Sequence, residues 1–166
     1  MSRSAVPRVA VTALMTPALV TALLTMAMLT LALLTTSCAG PSRSDEDFRR
    51  KAANTAEAMV AVVETARVTA GAAGSGRLLP AYVAVALRDA EDDANGIVAT
   101  FDSVQPPSAA ADALRAGLDD TLQQATSRIA DLRIAARRGR LDRLPSLARP
   151  LADVSLRLRR YAEVDR

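Results

Sequence analysis

The sequence predicts an all-α protein: an up-down-up-down four-helix bundle behind an N-terminal signal or anchor segment. Three observations carry this prediction. Beyond residue 44, apolar and small residues recur at steps of three and four, the period of one helical face. Proline and glycine fall mostly between these periodic stretches, Gly96 and Gly117 excepted. No segment alternates apolar and polar residues as a half-buried strand would. Four amphipathic segments with short connections favour antiparallel neighbours.

The chain opens with Arg3 and Arg8, and no charged residue occurs from Val9 through Ser42. Leucine, alanine, valine, threonine and methionine fill that run, which closes on Leu31-Ala32-Leu33-Leu34-Thr35-Thr36-Ser37-Cys38-Ala39-Gly40. A basic start, an apolar middle and small residues before a cysteine resemble the signal peptide of a bacterial lipoprotein of the actinobacterial type. Thr36 and Ser37 suit the small positions of that motif, while Thr35 stands where leucine is usual. The resemblance covers residues 1–40 and implies lipid attachment at Cys38, with cleavage before it. An uncleaved transmembrane helix is the other reading, because Val9–Leu34 exceeds the ~20 residues that span a bilayer. Either way the positive charge at the N-terminal flank places the residues after Cys38 outside the cytoplasm. The expected divisions are 1–37 as signal peptide or anchor, 38–44 as lipid-anchor cysteine and tether, and 45–166 as the helical bundle.

Ser44 before Asp45, Glu46 and Asp47 is a helix start, with its acids placed favourably for the dipole. Phe48, Ala52, Ala56, Met59, Val63, Ala66 and Ala70 define the inner face of helix one, and the glycine-rich stretch 71–76 is expected to end it. Pro80 opens helix two, whose expected inner face is Tyr82, Ala86, Ala90, Ala94, Ile97 and Phe101. Asn95-Gly96 invites a kink there, and Pro106-Pro107 stops the helix. Ser108 caps helix three, which carries Ala111, Leu114, Leu118, Leu122, Ala125, Ile129, Leu132 and Ala136 before Gly139. Leu147, Leu151, Val154, Leu158 and Tyr161 mark helix four, made irregular at its start by Pro145 and Pro150. In this topology Phe48, Phe101, Tyr161 and Leu114 gather at one end, and Tyr82 at the other.

The chemistry available is narrow. With no histidine and one cysteine, a histidine-based triad, a zinc site of the usual kind and an internal disulfide are all excluded. No catalytic residues, metal ligands or cofactor are therefore expected, and the chain does not read as an enzyme. Asp89, Asp93, Asp119 and Asp120 are read as solvated helix faces, with weak surface calcium binding the only other use. The net charge of +3 and the scarcity of aromatics do not favour nucleic acid. Charge is uneven, however. Eight acids face Arg88 and Arg115 between residues 88 and 120, while eleven arginines face five acids from residue 128 onward. An up-down arrangement would gather Arg77, Arg137, Arg138, Arg140 and Arg143 at one tip, where Arg137 and Arg138 also compensate a helix dipole. The expected function is a lipid-anchored, extracytoplasmic binding module of the cell envelope, partnered by the membrane through Cys38 and by an envelope protein or anionic polymer at that tip. A ligand- or metal-binding sensor bundle is the alternative.

Overall fold

The computed structural model describes residues 42–163, and these are all-helical, without a strand among the described residues. Cys38 and the whole of the apolar N-terminal run lie outside them. Helix α1 spans Asp45–Gly74, α2 Pro80–Asp102 and α3 Ala109–Arg137. A 3-10 turn at Leu141–Arg143 leads into a short α4, Leu144–Leu147, and α5 runs Pro150–Glu163.

Capping explains where these helices begin and end. Ser44 Oγ accepts a bond from the Asp47 amide at 3.1 Å, and Ser108 Oγ accepts one from Ala111 at 3.2 Å. Each hydroxyl satisfies a donor that the first helical turn leaves free. Ser108 also donates to Asp45 Oδ1 at 2.7 Å, tying the starts of α1 and α3 together. At the other end, α1 and α3 close in the same way. Gly76 and Gly139 both adopt φ of 70°, and Arg77 and Arg140 send their amides back to Ala72 and Ala135. Those reversals need a left-handed residue, which glycine takes without a Cβ clash. Helix α1 thus continues through Gly71 to Gly74, one turn past the expected stop, because Ala73 is buried and Gly74 packs against Pro145.

The interior is alanine framed by larger side chains. Phe48, Ala56, Met59, Val63, Ala66 and Ala70 from α1 are fully buried, as the periodicity predicts. Leu118, Leu122, Ala125, Ile129 and Leu132 supply the matching face of α3. Removing apolar surface of this kind from water stabilises the fold by ~25 cal/mol per Å².

Two inner faces depart from expectation. Helix α2 buries Val83, Leu87, Ala90, Ala94 and Phe101, while Tyr82 is 59 % exposed and Ala86 only half-buried. Its first turns are apolar all round, so two stripes compete. The aliphatic one goes inside, where no hydroxyl needs a partner. In the last segment Leu144 is buried and Leu147 is exposed, because the 3-10 turn and the Pro145–Pro150 interruption rotate the chain before α5 begins. Gly96 introduces no break: α2 is continuous through it from Pro80 to Asp102.

Contacts fix the helix directions pairwise. The Phe48 and Phe101 rings meet at 5.9 Å, tilted by 41°, so α2 returns to where α1 began. Leu114 packs against the core one turn into α3. Gly74 touches the loop at Leu141 and Pro145, and Ser155 reaches Glu64, so α5 runs back along α1. Tyr161 packs beside Gly117, about two turns into α3. The described end of α5 reaches the level of Glu57 and Val60, where Ala162 and Glu163 line a shared hollow.

Candidate interaction surfaces

The packing of Gly74 on Leu141 and Pro145 brings the segments that carry the predicted basic tip to one end of the fold. Arg77, Arg137, Arg138 and Arg143 are exposed there, and Arg140 is half-buried. Arg77 Nε donates to Ser75 Oγ at 2.8 Å, and Arg137 ends α3. Among the described residues none of the five pairs with a carboxylate, whereas Arg128, further back on α3, holds Asp131 at 3.6 Å. Arg137 and Arg138, at the α3 C-terminus, suit the negative end of its dipole.

The acids distribute differently. Arg133 holds both carboxylate oxygens of Glu91 across the α2–α3 seam, with its Nη2 at 3.2 Å from Oε1. Arg115 donates to the Val104 and Asp102 carbonyls at 2.8 and 3.0 Å and lies 3.4 Å from Asp119. Burial raises the Asp119 carboxyl above its ordinary value, against the pull of Arg115. Between α1 and α5, buried Ser155 donates to Glu64 Oε1 at 2.6 Å and Arg67 Nη1 holds Oε2 at 2.7 Å. The Ser155 hydroxyl above all, then the Arg67 and Arg159 charges, lowers the Glu64 pKa despite some burial. At the start of α1, Lys51 and Arg50 lower that of half-buried Asp47. Asp120 accepts from its neighbour Gln124 at 2.8 Å. These are clips within and between helices. No cluster of metal-ligating side chains occurs among the described residues, and none of their helices is long and apolar enough to cross a membrane.

One surface that sequence periodicity does not reveal lies between α1 and α2. A groove of about 740 Å³ is lined by Asn54, Ala58, Ala61 and Val62 on one side and by Asp93, Gly96, Ile97 and Thr100 on the other. It continues toward the α2 N-terminus past Thr65, Ala86 and Asp89. Asp89 and Asp92 sit beside Arg88 at 3.2 and 3.9 Å, so two aspartates share one arginine along this wall, and Asp93 beside them has no ion pair among the described residues. A methyl group built on Gly96 would meet no atom within 4 Å. The available signal was Gly96 itself, a poor helix former in an unbroken helix.

Comparison with protein-family models, with curated proteins and with solved structures finds no match for this chain.

Proposed function

We propose that the protein is a lipid-anchored helical module on the extracytoplasmic face of the cell membrane, built to bind another component of the envelope. In this reading the three long helices and the broken segment Leu141–Glu163 make an up-down-up-down four-helix bundle. The observation that carries the binding role is the contrast between interior and surface. Leu87, Leu118, Leu122, Ile129, Leu132 and Leu158 have no exposure, while an open groove of about 740 Å³ lies between α1 and α2. A filled alanine and leucine interior leaves recognition to the outside, where interfaces form. The anchor rests on the residue pattern from Arg3 to Cys38. Two or three acyl chains at one cysteine hold a protein firmly, since each buried CH₂ contributes ~0.8 kcal/mol. The few residues before Ser44 would then keep the module close to the bilayer.

Mass spectrometry of the protein from its own host tests this directly. The expected species begins at Cys38 and carries diacylglyceryl mass, and Cys38→Ala abolishes both cleavage and lipid. An intact N-terminus with an unmodified thiol would overturn the anchor and favour the uncleaved span.

A further inference from the structure

We propose that the α1–α2 face is a docking groove for one basic amphipathic helix of a partner protein, which lies along the groove with its backbone over Gly96. The inference deepens the binding role proposed above and rests on it.

Three independent features point to this occupant. The first is shape. From Asn54 and Thr100 to Thr65 and Ala86, the groove follows α1 for 11 residues, about 17 Å, enough to seat three turns of helix. Its floor is Ala58, Ala61, Val62, Ala90 and Ile97, and small side chains let a third helix come near the ~8 Å separation of packed helices. Exposed Val85 and Tyr82 extend the same α2 stripe beyond the groove, adding apolar surface that the described residues leave uncovered.

The second is Gly96. Within α2 it has ordinary helical φ, it packs against nothing, and it costs stability relative to alanine. Its own fold therefore has no steric use for the missing Cβ. What the missing side chain provides is bare backbone in the wall of the groove, the condition for close approach by another main chain.

The third is charge. Asp89, Asp92 and Asp93 stand along one wall; among the described residues Arg88 pairs with the first two, and no basic side chain lines the groove. A second copy presenting this same face would set acid against acid, and an anionic lipid surface would be repelled. A helix flanked by arginine or lysine is complementary, and such complementarity sets specificity and association rate.

The test uses the full-length protein in detergent micelles and a synthetic amphipathic peptide with alanine and leucine on one face and arginine along its flanks. A second peptide carries glutamate in place of each arginine. Fluorescence anisotropy should show the arginine peptide binding, and the glutamate peptide not. Neutralising the wall with Asp89→Asn, Asp92→Asn and Asp93→Asn should weaken binding about tenfold, the sum of three modest rim charges. Gly96→Phe should abolish binding with the thermal midpoint preserved, because the new ring projects into open space. Equal binding by Gly96→Phe, equal binding of both peptides, or no binding of either overturns the groove. Failure of lipidation at Cys38 would instead remove the anchor and leave these measurements standing, so the two readings fail separately.

Discussion

A methyl group added at Gly74 would run into the Pro145 ring, whereas one added at Gly96 would meet nothing within 4 Å. Two glycines of one fold thus respond to the same change with opposite sign. Gly74→Ala forces the rigid proline ring, and with it the turn after α3, to move. Overpacking of this kind costs about 1–3 kcal/mol, so denaturant unfolding should show a clear loss. Gly96→Ala removes only a helix-propensity penalty and should stabilise by roughly 1 kcal/mol in the same assay. A loss at Gly96 would mean that its backbone does more within the fold than the open space around it suggests. The residue scale is also where sequence reading succeeds or fails most plainly. Ser44, Ser108, Pro80 and Gly139 were legible because each satisfies a local requirement of a helix end. Tyr82 was not, because its neighbours Val83 and Leu87 are as apolar as it is and local spacing alone cannot choose between the two stripes.

Between elements, the join of α1 to α5 depends on Glu64. Ser155, 2 % exposed, donates its hydroxyl to that carboxylate, and Arg67 and Arg159 approach from the solvent side. These partners favour the charged form, so the folded pKa lies below the ordinary 4.5. The stability contributed by a lowered carboxyl is fully present above the unfolded value and is lost as pH falls through the folded one. Glu64→Gln should therefore be less stable than the parent at pH 7, with the gap closing as the pH drops below 4.5. Urea midpoints at a series of pH values would show it, and a gap that stays constant would refute the clip. Ser155→Ala should cost about 1–2 kcal/mol at neutral pH, because it removes the only buried donor of the cluster. Asp119 has the reverse sign. Its pKa is raised chiefly by burial, so its ionisation weakens the fold as pH rises from the ordinary 3.8 through the folded value. Asp119→Asn should remove that slope. The broken start of the fourth segment was legible from Pro145 and Pro150, but its rotation was not. The 3-10 turn that puts Leu144 inside and Leu147 outside is set by the docking of Leu141 and Pro145 on Gly74.

At the scale of the whole molecule, the helical class and the buried faces of α1 and α3 were readable because their apolar periodicity is long and unambiguous. The α1–α2 groove was not, since its small residues declare themselves only when two helices are set side by side. The basic tip lies between these cases: its arginines were counted in the sequence, and only the fold places their segments together. Arg137 and Arg138 sit at the α3 C-terminus, where a cation stabilises by about 0.3–1 kcal/mol, and this alone is reason enough for two of them. Arg77, Arg140 and Arg143 have no such role, and their segments converge through the contact of Gly74 with Leu141 and Pro145. A surface that gathers unpaired guanidinium groups attracts polyanions, with an attraction screened over about 10 Å at 0.1 M salt. Full-length protein should therefore be retained on immobilised polyphosphate at low salt and released as salt rises. Reversal to glutamate at Arg138, Arg140 and Arg143 should abolish retention. Reversal at Arg88, on α2 among acids, should leave retention unchanged, because Arg88→Glu removes a charge that lies outside the tip. If the triple reversal elutes with the parent protein, the tip arginines serve the α3 terminus and the turn beyond it, and recognition by this molecule belongs to the acidic groove alone.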